Sequence, residues 1–173
     1  MTEHADEEFR EFMSGRWPGT VRLAYGLTGD LGHAEDLAQT AFAKAYASWA
    51  RVRRSGDPDA YLRQIVLNEN RNRFRKRRVT EWLTGRLPEP DHPDGPGRPD
   101  SGAVHDDRLA LLAALRTLGP RQRAVVVLRY WAGLTETEAA AALGCSVGTV
   151  KSQAARALAT LRKSTELVEE GRP

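Results

Sequence analysis

Apolar residues recur at steps of three and four along most of the chain, the spacing of amphipathic α-helices. Residues 7 to 28 place Phe9, Phe12, Trp17, Val21, Leu23, Ala24 and Leu27 broadly at that spacing, with Pro18 interrupting or starting a helix. Thr28, Gly29, Asp30 and Gly32 form a turn. A helix from about His33 to Trp49 has Leu37, Ala38, Ala41 and Ala45 on one side, while Phe42 and Tyr46 fall on another, near Glu35 and Gln39. A helix with two apolar faces is buried on both or awaits a partner. Arg51 to Asp57 reads as a basic loop, Asp57 as a cap and Pro58 as the first residue of a helix running toward Arg78, with Leu62, Ile65 and Val66 inward. Thr84 to Val104 holds LPEPDHPDGPGRPDSG, too rich in Pro and Gly for a packed element. A helix from about Asp106 to Leu118 aligns Leu109, Leu112, Leu115 and Leu118, and another from Pro120 or Arg121 turns Ala124, Val125, Leu128 and Trp131 inward. The predicted fold is all-α: two small helical domains, 1–83 and 105–166, a Pro/Gly-rich linker over 84–104, and a tail over 167–173.

The most informative stretch is Leu134 to Arg162, which reads as a helix-turn-helix. Thr135 and Glu138 form a capping box. An Ala-rich helix ends at Gly144, and Ser146 caps the next helix. There Val147, Val150, Ala154, Leu158 and Leu161 make an inward stripe. At ~100° per residue, Thr149, Ser152 and Arg156 fall opposite it, flanked by Gly148 and Gln153. Short polar side chains with one cation suit a helix in a DNA major groove. The same layout also occurs as a plain two-helix corner.

Overall charge adds little, since the formal net charge is only +3 over 173 residues. Its distribution adds more. After Asn70 the chain reads RNRFRKRR, continuing an amphipathic helix on which Asn68, Asn72 and Arg75 share a strip beside Gln64 and Arg71. Arginine for phosphates, asparagine for base edges and the aromatic Phe74 for stacking suit nucleic acid, whereas most basic runs are solvated faces or tails. Cys145 is the only cysteine, so an intrachain disulfide is excluded. His92 and His105 lack partners at ligand spacing, and neither a metal nor another cofactor is expected. The opening MTEHADEEF is acidic and polar, unlike a signal peptide, and no apolar run approaches the ~20 residues that span a bilayer. The expectation is a cytoplasmic protein without membrane insertion.

Three stretches resemble one family. LGHAEDLAQTAFAKAYASW looks like the DLxQ-containing helix of bacterial sigma factors. DPDAYLRQIVLNENRNRFRKRR resembles the promoter −10 helix of their extracytoplasmic-function group, and LGPRQRAVVVLRYWAGLTETEAAAALGCSVGTVKSQAARALATLR resembles the −35 domain. The arrangement resembles the sigma-E-like branch of actinobacteria, with sigma domains 2 and 4 alone. The resemblance implies an RNA polymerase sigma factor, a promoter-specificity subunit that is not itself an enzyme. Its partners would be core RNA polymerase, promoter DNA and, as one mode of control, an anti-sigma factor. Asp36, Gln39 and Phe42 would meet the clamp coiled coil of the polymerase, with Thr40 departing from the acidic residue common there. The loop from Trp49 to Asp57, with Arg51, Arg53 and Arg54, would capture a flipped −10 base. Asn68 and Asn72, with Gln64 beside them, would lie near the melted strand, and Arg71, Arg73, Arg75, Arg77 and Arg78 would hold phosphates. Ser146, Gly148, Thr149, Lys151, Ser152, Gln153 and Arg156 would address the −35 element, Gln153 replacing a common Arg and Lys151 reaching a phosphate. The −35 domain would also hold the polymerase flap tip.

Two other classes fit the sequence less well. A stand-alone regulator would carry a ligand or phospho-acceptor domain in front, where this chain has a basic helical half. An enzyme acting on nucleic acid would need Asp30, Glu35 and Asp36 as metal ligands, but their spacing follows a helix cap more naturally. The chain also has no GxxxxGK[ST] phosphate loop.

Overall fold

The computed structural model describes residues 3–84 and 102–170, with side chains described over 3–77, 79 and 109–163. The elements are α1 (Glu3–Thr28), α2 (Leu31–Ala47), α3 (Trp49–Arg54), α4 (Pro58–Thr84), α5 (Gly102–Arg116), α6 (Pro120–Val126), a π-helical stretch (Val127–Trp131), α7 (Glu136–Leu143) and α8 (Val147–Glu170). The chain divides into two units, Met1–Gly95 and Pro96–Pro173. Helix extends into both ends of the 84–104 stretch read as a linker. It also continues past 167, where a tail was expected, because Leu167 to Glu170 add no breaker. His92 lies outside the described residues, as does the side chain of His105.

In the first unit, α2 lies between α1 and α4. Ala34, Ala38, Ala41 and Ala45 are fully buried, and their small side chains let neighbouring backbones approach closely. Asp30 starts α2 by accepting from the His33 amide at 2.7 Å, and Gly29 supplies the positive φ of 72° before it. Pro18 neither interrupts nor starts α1 but lies inside one continuous helix. It sits on an exposed stretch with Ser14 and Gly15, where the amide that proline lacks leaves the i−4 carbonyl on the solvent side of the helix.

The arginines of the expected loop lie in the helix α3, and only Ser55 to Asp57 form a non-helical connection to α4. Trp49 and Val52, one turn apart, are 3% and 0% exposed, and burying that pair holds the turn in helical form. Asp57 caps α4 by accepting from the Ala60 amide at 2.9 Å, with Pro58 first in the helix. The inward face of α4 is Leu62, Val66, Leu67 and the polar Asn70, while Ile65 is only half-buried.

In the second unit, Leu112, Leu115 and Leu118 are buried, but Leu109 is 49% exposed: the core ends one turn short of it. Arg123 closes α5. Its Nε donates to the Leu115 carbonyl at 2.9 Å, and its Nη2 to the Arg116 and Leu118 carbonyls at 3.3 Å each. Carbonyls that a helix end leaves open are thereby satisfied. Ala124, Val125 and Leu128 pack inward as the pattern requires, whereas Trp131 is half-buried. The π-helical turn shifts the register between Val127 and Trp131, and the Ala132 amide reaches back to the Val127 carbonyl at 2.8 Å.

Candidate nucleic-acid interface

The helix-turn-helix is built by its caps. The Thr135 hydroxyl accepts from the Glu138 amide at 3.2 Å, and the Glu138 carboxylate accepts from the Thr135 amide at 2.7 Å. Arg129 donates to the Leu134 carbonyl and ties the π-helical stretch to the approach of α7. Gly144 ends α7 at φ 65°, a conformation that would strain a residue bearing Cβ. Ser146 then accepts from the Thr149 amide at 3.1 Å.

On α8 the buried line centres on Val150 and Ala157, both 0% exposed, with Val147, Ala154, Leu158 and Leu161 half-buried beside them. Ala157 lies outside the apolar stripe that the periodicity defines. It is small, and so are Ala139 and Ala140 on α7, which packs against α8. Ser146, Gly148, Thr149, Lys151, Ser152 and Arg156 are exposed, and Gln153 is half-buried. The Thr149 hydroxyl is engaged with Ser146 at 2.9 Å, and the Ser152 hydroxyl donates to the Thr149 carbonyl at 3.0 Å. Lys151 lies 3.6 Å from Glu136 and spans from α8 to the start of α7.

In the first unit the expected contacts divide. Asp36, Gln39 and Thr40 are exposed on α2. Phe42 is not. It is 2% exposed, with its ring 6.4 Å from Phe9, 6.3 Å from Phe12 and 5.8 Å from Trp17. The second apolar face of α2 is therefore covered by α1, and Phe42 is corrected from a polymerase contact to a core residue. Trp49 is corrected likewise: its ring packs 5.1 Å from both Phe9 and Phe12, and it is removed from the −10 contacts. Tyr46 stays 41% exposed over Phe9 and donates to Asp6 at 3.0 Å. That hydrogen bond raises the Tyr46 pKa above the ordinary phenol value.

Arg51, Arg53 and Arg54 are all exposed on α3. Arg53 meets Glu8 of α1 at 2.6 Å, and Arg54 Nε donates to the Ala50 carbonyl at 3.0 Å. On α4, Asn68 accepts from Gln64 at 3.3 Å and from Arg71 at 3.0 Å, so these three act as one cluster. Arg71 and Arg75 are exposed, while Asn72, Arg73, Phe74 and Arg77 are half-buried. The side chain of Arg78 lies outside those described. Ion pairs Arg16–Asp59 at 2.5 Å and Lys44–Glu69 at 2.5 Å fasten α4 to α1 and α2. The Asp59 hydrogen bond and charge raise the Arg16 pKa above its ordinary value.

The roles of Arg123, Arg129 and Glu8 do not follow from the helical periodicity. Arg123 follows a Gly-Pro break closely enough to reach back over the helix that the break ends, which is a usable local signal. Glu8 and Arg53 are 45 residues apart, and nothing local pairs them. A shallow apolar groove of about 160 Å³, lined by Leu111, Leu115, Val126, Val127, Tyr130 and Trp131, also emerges only on folding. Among the described residues no three His, Cys, Asp or Glu groups converge as a metal site, and no helix is long and apolar enough to cross a membrane.

Fold and surface together define the class: a two-unit helical protein whose second unit is a helix-turn-helix with a polar exposed face. Comparison with known proteins specifies the family. Sigma-70 region 2 matches residues 18–80, and Sigma-70 region 4 matches residues 108–161. The chain is 41% identical over 156 residues to an RNA polymerase sigma-E factor of Streptomyces coelicolor, covering 90% of this chain and 85% of that one. It is 31% identical over 143 residues to an extracytoplasmic-function sigma factor, SigL, of Mycobacterium tuberculosis, covering 82% and 79%. Among solved structures, the sigma factor RpoE in complex with the anti-sigma factor NepR, from Bartonella quintana, is similar at a TM-score of 0.74 and 29% identity, covering 96% of this chain and 99% of that one. The chain belongs to the sigma-70 family of RNA polymerase sigma factors, in its extracytoplasmic-function group, and serves transcription initiation.

Proposed function

We propose that the first unit binds core polymerase and the −10 element, and the second unit the −35 element, with binding energy alone driving promoter opening. The observation that carries this reading is the face of α8 that turns Thr149, Ser152 and Arg156 outward while Val150 and Ala157 are sealed against the rest of the unit. Such a face can enter a major groove without disturbing the core behind it. Gly148 and Gln153 border that surface. Ser146 and Lys151 stand where phosphates would pass, with Lys151 exchanging Glu136 for DNA.

For the −10 element, the exposed cations Arg51, Arg53 and Arg54 on α3 lie just ahead of α4, whose Gln64, Asn68, Arg71, Asn72 and Arg75 offer amides for base edges and guanidinium groups for the backbone. Asp36 and Gln39 are the polymerase contacts on α2, and Phe42 supports them from beneath. The apolar groove between α5 and the π-helical stretch suits the flap-tip contact of the family. An anti-sigma factor would control the chain by covering these surfaces, as the complex of the RpoE relative with NepR suggests. The site of action is the cytoplasm, and no reaction is catalysed by the chain itself.

The test is run-off transcription with purified core polymerase on a pool of random promoters, with and without this chain. Transcripts that depend on the chain support the reading and deliver both promoter elements. A protein that protects DNA alone and never binds core would instead be a stand-alone regulator.

A further inference from the structure

Among the exposed arginines of α3, Arg53 is held by a carboxylate from another helix. Glu8 Oε2 lies 2.6 Å from its Nη1, with the two side chains 41% and 44% exposed. The placement of Glu8 is not casual. Its neighbour Phe9 is 7% exposed and is set between Tyr46 and Trp49, with ring centroids 4.9 Å and 5.1 Å away. Two residues earlier, Asp6 accepts from Tyr46 at 3.0 Å. Together these contacts pin the acidic opening of α1 over the end of α2 and the start of α3. Glu7, next in the chain, points elsewhere and pairs with Arg10 within α1 at 2.7 Å.

We infer that Glu8 is an intramolecular competitor for nucleic acid at Arg53, an acidic gate on the basic helix α3. The inference rests on the proposed −10 surface. A phosphate approaching Arg53 must displace a carboxylate already in place, or bind beside it against its charge. Both effects oppose binding, and both belong to exposed charges, so salt screens them. Glu8 therefore sets how much promoter contact the first unit makes before other contacts are in place. The gate is weak by design of its exposure: DNA held by polymerase and by neighbouring arginines outcompetes it.

The experiment uses the full chain in complex with core polymerase. The probe is a fluorescent promoter fragment selected by the run-off assay and synthesised with its −10 region unpaired. Glu8→Gln should tighten binding about three- to ten-fold at low salt. It should also steepen the dependence of log K on log salt by ~0.7, as expected for one further phosphate neutralised on a single strand. Glu7→Gln removes the same charge one residue away and should shift affinity less than two-fold. In an Arg53→Ala background, Glu8→Gln should have no effect. The gate is overturned if both glutamine variants tighten binding equally, since charge alone would then suffice. It is equally overturned if Glu8→Gln matches wild type, or if Arg53→Ala leaves binding unchanged. Failure of the −10 reading itself looks different: the wild-type complex would give no chain-dependent transcripts.

Discussion

Phe42 and Arg156 show opposite uses of a helical side chain. Phe42 is surrounded by the rings of Phe9, Phe12 and Trp17, so removing it opens a cavity where α1 meets α2. Phe42→Ala should cost ~3–5 kcal/mol of stability, read by denaturant unfolding. Any loss of polymerase binding should follow the loss of folded protein. Arg156 is exposed, and its side chain supports nothing in the core. Arg156→Ala should leave the unfolding midpoint and core affinity unchanged, while weakening −35 duplex binding by about ten-fold in a gel-shift titration. Equal loss of core binding would mean that the outward face of α8 serves the polymerase and not DNA.

At the scale of elements, the helix-turn-helix depends on where α7 starts and α8 begins. The Thr135 capping box and Gly144 at φ 65° define both ends of α7. Thr135→Ala should remove the reciprocal bonds with Glu138 and cost about 1 kcal/mol, seen as a lower denaturation midpoint. Because α7 packs against α8, −35 binding should weaken in parallel under conditions near the midpoint. A midpoint equal to wild type would show that packing, and not the cap, defines the start of α7. Much of this was legible locally, since caps and glycine stops involve residues three or four apart. The helical state of Trp49–Arg54 was not legible, because it depends on a Trp49 pocket built by Phe9 and Phe12, some forty positions earlier.

At the scale of the whole molecule, the proposed division of promoter recognition between the two units makes a direct prediction. Residues 1–95, expressed alone, should bind core polymerase but fail to shift a −35 duplex, and residues 96–173 should shift the duplex while holding core only weakly, through the flap-tip contact. Neither piece should support run-off transcription. Activity from the first piece alone would show that −10 contacts suffice, and that the second unit only adds affinity.

The division between sequence and structure follows the range of the interactions. Periodicity, caps and breakers act within a turn or two, so the all-helical state, the helix-turn-helix and the outward placing of Thr149, Ser152 and Arg156 were determined by the chain order itself. The motifs LGPRQRAVVVLRY and LGCSVGTVKS likewise carried the family resemblance. Which of two apolar faces on α2 would be covered was undecided by periodicity, because a helix cannot specify its own neighbour. Tertiary packing decided it, placing α1 over Phe42 and Trp49 and so withdrawing both from the surface. The same packing brought Glu8 to Arg53. Those contacts join residues whose distances are set by how helices stack, and no local pattern encodes them.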